Sequence, residues 1–132
     1  EKPRHNFTIG IVDDVTNLSL PVDPNFKIPT ENEFKIYGYG SDGMVSASKT
    51  IIKMIGENTN HYVQGYFEYD SKKSGGVTVS HLRFSKRPIR STYYVESPRI
   101  VVVSKDSYLK EFNPLEDIRD HGILLLNTRK TK

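Results

Sequence analysis

The sequence predicts an α/β fold: a three-layer α/β/α domain on a mainly parallel or mixed sheet, preceded by a strand and an irregular connector. Three observations carry this expectation. Phe34 to Tyr69 reads as strand, helix, strand over 36 residues, the size of a βαβ unit. Ile100-Val101-Val102-Val103 and Ile123-Leu124-Leu125-Leu126 are apolar throughout, the pattern of strands covered on both faces. The signals follow the order strand, helix, strand, strand, strand, helix, strand, with no internal repeat or low-complexity tract.

The elements follow in chain order. Phe7 to Val12 is a β-rich run stopped by Asp13-Asp14. Val15 to Asn32 carries Pro21, Pro24 and Pro29 and neither period, which predicts a connector. We place a boundary there. Residues 1–30 are read as the end of one unit plus a connector, and 31–132 as an α/β domain expected to be incomplete at its C-terminus; the lack of an initiator Met suggests a segment cut from something longer. Phe34-Lys35-Ile36-Tyr37 alternates as a strand and runs into Gly38-Tyr39-Gly40-Ser41-Asp42-Gly43. Met44, Ala47, Ile51 and Ile55 then recur at helical spacing, predicting about three turns capped by Ser41 or Asp42 and ended by Gly56. Tyr62 to Tyr69 is the next strand, and the crossover rule makes it parallel to the first.

After the Gly-rich loop Asp70 to Gly76, Val77, Val79 and His81 alternate as another strand, and Ser91 to Val95 is a shorter β-prone piece. Ile100 to Val103 is expected to be a central strand. Tyr108 to Phe112 and Leu115 to Ile118 supply helical turns broken by Pro114, and Ile123 to Leu126 is a second buried strand.

Composition bounds the function. A chain of 132 residues allows one domain with one core, and no apolar run approaches the ~20 residues of a membrane span. The N-terminus lacks the apolar stretch of a signal peptide. With no cysteine, the segment holds no disulfide, no cysteine nucleophile, no zinc ribbon and no iron–sulfur cluster of its own. Nineteen basic against 16 acidic residues is too slight an excess to argue for nucleic acid. The positives concentrate in Lys72 to Arg90, which has no carboxylate, while Glu111 to Asp120 is acidic. Such a patch fits an anionic ligand or partner, or a solvated basic face.

The most informative segment is Tyr37 to Lys49. Gly38, Gly40 and Gly43 have the G-x-G-x-x-G spacing between a strand and a helix. Glycines let the backbone approach a diphosphate, and the free N–H groups and dipole of the helix favour the anion. The plain alternative is a tight turn that needs glycine for positive φ. Asp70 or Glu68 stands where a dinucleotide fold places its ribose-binding acid, and Lys72-Lys73 follows at once. Two ammonium groups suit a ribose bearing an extra phosphate, which leaves NADP and coenzyme A both open, unless the loop is merely a solvated turn. His81 shares a strand face with Val77 and Val79 and reads as a hydrogen-bonded core histidine rather than a base. Asp13-Asp14 reads as an edge or cap more readily than as a cation site, and no serine has a partner base. Tyr62, Tyr66 and Tyr69 sit at strand positions where packing explains them.

Four segments together carry a resemblance: Asp13 to Leu20, Gly38 to Gly43, Gly65 to Phe84 and Pro88 to Tyr93. In this order they resemble the pyruvate:ferredoxin (flavodoxin) oxidoreductases, over about Phe7 to Thr128. The resemblance implies the start of the gamma-type, coenzyme A-binding domain of a large enzyme. That enzyme would decarboxylate pyruvate on thiamine diphosphate with Mg, transfer acetyl to coenzyme A, and send electrons through [4Fe-4S] clusters to ferredoxin or flavodoxin. It further implies a homodimeric parent, cytoplasmic or in a hydrogenosome or related organelle, with no nucleic-acid or membrane partner. Carried over by position, the coenzyme A contacts would be Gly40, Ser41, Asp42, Gly43, Met44 and Lys72, with no catalytic residue or metal ligand in this segment. The chain departs from the family's usual Thr and Gly at Met44 and Ser46. Rival expectations are an NADP-type module and a non-catalytic interdomain domain of a fused reductase.

Overall fold

The computed structural model describes residues 3–26, 28, 30, 32–70 and 76–130. Near the N-terminus β1 (Thr8–Ile9) and β2 (Ser19–Leu20) form a two-residue parallel pair. The connector is therefore not wholly irregular. Asp14 closes the loop between them, its carboxylate accepting hydrogen bonds from the Thr16 and Ser19 N–H groups and the Thr16 hydroxyl. Those bonds, the Thr16 hydroxyl foremost, hold its carboxyl below the usual range. Asp14, the second of the acidic pair, is thus a loop cap.

The main sheet contains β3 (Asn32–Tyr39), β4 (Tyr62–Tyr69), β5 (Val77–Ser85), β6 (Ile100–Val103) and β7 (Ile123–Leu126), in the spatial order β4-β5-β3-β6-β7. β3 pairs parallel with β6, and β6 with β7, whereas β5 runs antiparallel to both β3 and β4. The sheet is mixed. β3 and β4 do point the same way, as the crossover rule requires, but they are not neighbours. The loop between β4 and β5 is too short for a crossover, so β5 folds back antiparallel and lies between them.

Helix α1 (Met44–Asn58) covers β3, β4 and β5 on one face. There Ile36, Leu82 and Phe84 are buried, with Ile51, Ile52 and Ile55 of the helix packed on them. α1 runs through Gly56, contrary to expectation, because a side chain at that position would crowd Val63, 3.1 Å away, so packing asks for glycine inside the helix. The helix stops instead at Thr59, whose N–H and hydroxyl both donate to the Ile55 carbonyl. On the other face Tyr37, Val101 and Val103 are buried under Tyr108, Leu115 and Ile118. That third layer is slight, with one four-residue helix, α2 (Tyr108–Glu111), in a run of turns. No helix among the described residues is long and apolar enough to cross a membrane.

Two strand expectations need correction. Ser91 to Val95 is a loop, not a strand. Its backbone is engaged elsewhere: the Tyr93 and Tyr94 carbonyls accept from Arg83, and the Val95 N–H donates to His81. β7 is covered on one face only, leaving Ile123 and Leu125 48% and 55% exposed, because α1 ends short of it. The basic stretch is not one patch either. Arg83 points inward and is 1% exposed, and Lys86, Arg87 and Arg90 lie at the far end of β5, about 25 Å from its start. Arg83 binds Glu33 (Nε to Oε1, 2.8 Å), Gln64 and the two carbonyls, while Glu33 also takes Arg119. The buried ion cluster is fully partnered, as a buried charge must be.

Candidate functional site

The carboxyl ends of β3 and β4 and the start of β5 meet at one edge of the sheet, where the chain turns from β3 into α1. The three glycines of the motif do different work there. Gly38 lies opposite Thr78 in the ladder, and a Cβ on it would come 2.7 Å from the Thr78 hydroxyl oxygen and 2.8 Å from Met44 Cβ. Close approach of helix and sheet therefore requires glycine. Gly40 donates its N–H to the Gly76 carbonyl at 3.0 Å, tying this turn to the end of the β4–β5 loop. Gly43 stands immediately before the helix at φ 84°, with open space where a side chain would be. Ser41 also adopts a left-handed conformation, φ 72°, inside a turn closed by the Asp42 N–H and the Tyr39 carbonyl.

Asp42 organises the loop. Its Oδ2 accepts from the Tyr39 N–H (2.7 Å) and its Oδ1 from the Met44 N–H (2.8 Å). It caps the helix from one residue before the cap position, and Ser41 does not. The first helical backbone bond runs from the Ala47 N–H to the Gly43 carbonyl. The N–H groups of Val45 and Ser46 are thus the first-turn donors that a helix leaves for outside partners, and no acidic side chain lies in that turn. They border a cleft of about 410 Å³, lined by the 39–43 loop, Val45, Ser46, and Tyr69 and Thr78 from β4 and β5. The helix dipole makes that end positive.

The structure brings Gly40, Ser41, Asp42 and Gly43 to the rim of this cleft. Met44 gives its N–H to Asp42, and its side chain packs against the core beneath α1. Lys72 lies outside the described residues, as do Lys73 and Ser74. The two described ends of their loop adjoin the cleft residues Tyr69 and Gly40: Asp70 donates its N–H to Val77, and Gly76 receives that of Gly40. Glu68, a candidate for the ribose, hydrogen-bonds His81 on the sheet face opposite α1.

His81 is the core histidine the alternation predicted. It is 3% exposed, stacks on Tyr94 at 4.6 Å, accepts the Val95 N–H at Nδ1 and so donates from Nε2 to Glu68 (3.1 Å). Burial pushes its pKa below the ordinary histidine value, against a smaller upward pull from Glu68. Of the strand tyrosines, packing accounts for Tyr66, edge-on to Tyr94, but Tyr62 and Tyr69 are more than half exposed. Sequence reasoning passed over Tyr39, Tyr69 and Thr78 as cleft residues. Their signal is topological: Tyr39 and Tyr69 end β3 and β4, which point the same way, and Thr78 begins the antiparallel β5 at that same edge.

Comparison with known proteins agrees with this architecture. A family model described as pyruvate ferredoxin/flavodoxin oxidoreductase matches residues 33–132. The chain is 48% identical over 128 residues to the pyruvate:ferredoxin oxidoreductase of Moorella thermoacetica and 52% identical to the pyruvate-flavodoxin oxidoreductase of Trichormus variabilis. Each alignment covers 96% of this chain and 11% of the relative, so the chain spans about a ninth of their length. Among solved structures, the pyruvate oxidoreductase subunit PORC of Thermotoga maritima superposes with a TM-score of 0.64 at 28% identity, over 78% of this chain and 53% of that one. The match over residues 33–132 and the two close relatives establish that this chain belongs to the pyruvate ferredoxin/flavodoxin oxidoreductase family.

Proposed function

We propose that this chain is the coenzyme A-docking segment of a larger 2-oxoacid oxidoreductase. The enzyme would convert pyruvate and coenzyme A to acetyl-coenzyme A and CO2 and pass electrons to ferredoxin or flavodoxin. The observation that carries this reading is the cleft itself. A glycine-lined bend and a positive helix end border one space of about 410 Å³, and Gly76, at the end of the Lys72 loop, is tied to its rim by the Gly40 N–H. The Val45 and Ser46 N–H groups receive the diphosphate, the open side of Gly43 lets it come close, and Lys72 takes the phosphate on the ribose. The thiol arm then extends away from the sheet edge toward the site where the acetyl group is made.

Thiamine diphosphate, its Mg and the [4Fe-4S] clusters belong to other parts of that enzyme. The chain has no cysteine to ligate a cluster, and among the described residues no three His, Asp or Glu side chains gather as metal ligands. On the same reading the parent is a homodimer, in the cytoplasm or in a hydrogenosome-like organelle.

Titration calorimetry of the intact enzyme with coenzyme A, dephospho-coenzyme A and NADPH tests the assignment. Coenzyme A should bind more tightly than its dephospho form, and Lys72→Ala should cost coenzyme A about 1.5–3 kcal/mol while leaving dephospho-coenzyme A unchanged. Preferential binding of NADPH would assign the cleft to a dinucleotide instead. Binding of neither would make this an interdomain module.

A further inference from the structure

The cleft has a second cationic flank that the glycine motif does not reveal. β6 lies beside β3 on the side away from β5, and immediately after it the Ser104 N–H bonds the Tyr37 carbonyl. Lys105 follows. Its ammonium sits 5.5 Å from the ring centre of Tyr39 and 5.6 Å from that of Tyr108. Tyr39 lines the cleft, so the cation stands beside one of its walls. Two aromatic faces fix a lysine that would otherwise wander, at a small gain each. Among the described residues no carboxylate comes within salt-bridge distance of it.

A second, independent observation points to a ligand at this cleft. Thr78, which lines the cleft floor, is 9% exposed, and its hydroxyl has no hydrogen-bond partner among the described residues. A buried hydroxyl left unpaired is costly, and such groups are commonly completed by a bound molecule. The cleft also carries the negative charge of Asp42, already committed to two backbone N–H groups. A docked diphosphate adds more negative charge to the same rim, and two backbone donors balance only part of it.

We infer that Lys105, held over Tyr39 and Tyr108, is a second anion-binding residue of this cleft and meets the diphosphate of the docked nucleotide from the β6 side. The inference rests on the coenzyme A reading and assigns Lys105 to the diphosphate of that ligand.

The test compares Lys105→Met with Lys105→Arg in the intact enzyme, using coenzyme A, dephospho-coenzyme A and pantetheine as probes. Lys105→Met should weaken both nucleotides roughly tenfold, the scale of one partly exposed charged contact, and leave pantetheine unchanged. Lys105→Arg should restore most of the loss, and raising the salt concentration should narrow the gap between wild type and Lys105→Met. Unchanged nucleotide affinity in Lys105→Met overturns the inference while leaving the site intact. A loss shared equally by pantetheine overturns it too, since that marks a change of shape. If wild type binds none of the three, the reading of the cleft itself fails.

Discussion

Replacing Gly38 with alanine should separate the helix from the sheet. The added Cβ would lie 2.7 Å from the Thr78 hydroxyl oxygen and 2.8 Å from Met44 Cβ, both closer than side-chain atoms pack. Thr78 can rotate, but Met44 Cβ is fixed to the first residue of α1, so the helix must move. Overpacking of this kind costs about 1–3 kcal/mol, and the stiffer unfolded chain of an alanine returns about 0.4–1 kcal/mol. The net is a loss of about 1–2 kcal/mol, or roughly 5–10 °C in Tm for a domain of this size. Gly43→Ala is the control. Its Cβ meets nothing within 4 Å, so it carries only the cost of a left-handed backbone, about 1 kcal/mol, with no displacement of α1. Adding Thr78→Ala to Gly38→Ala should rescue part of the loss, because the Met44 contact remains. Thermal and urea unfolding followed by circular dichroism reads all four. A Gly38→Ala protein as stable as wild type would refute the claim that this glycine is set by helix–sheet approach.

Two further outcomes are expected. Arg83→Met removes the partner of a buried carboxylate, Glu33, together with its bonds to Gln64, Tyr93 and Tyr94, and should cost about 3–5 kcal/mol in urea unfolding; a loss under about 1 kcal/mol would contradict the buried cluster. Native His81 is held neutral by burial, with a pKa below its unfolded value near 6.5, so the unfolded chain binds more protons between those two values. Its contribution is therefore complete above about pH 6.5 and falls as the pH drops through that point, with a limiting slope of about 1.4 kcal/mol per unit. Urea midpoints between about pH 7.5 and about pH 5 should decline more steeply in wild type than in His81→Gln, and equal slopes would count against it.

The β3–α1–β4 unit was legible because its signals are local: alternation over Phe34 to Tyr37, helical spacing from Met44 to Ile55, and glycines at the turn. The insertion of β5 between β3 and β4 was not, since strand order depends on contacts far apart in the chain. Ser91 to Val95 misled because tyrosine and valine favour strands on average, while here their backbone is spent on one guanidinium and one imidazole. Arg83 misled too, since the run from Lys72 to Arg90 reads as one basic patch unless the partners of Arg83, Glu33 and Gln64, are known. At the cleft, the glycine loop announced itself, whereas Thr78 comes to its lining and Lys105 to the ring of Tyr39 only through the pairing of β5 and β6 with β3.

The one-sided covering of β7 has a practical consequence for handling this segment. Among the described residues it is hydrogen-bonded only to β6, so its outer row of peptide groups and the bare side chains of Ile123 and Leu125 form a template for strands of other molecules. Preparations of the isolated piece would be drawn toward intermolecular pairing as concentration rises, and studies of its chemistry are best begun dilute.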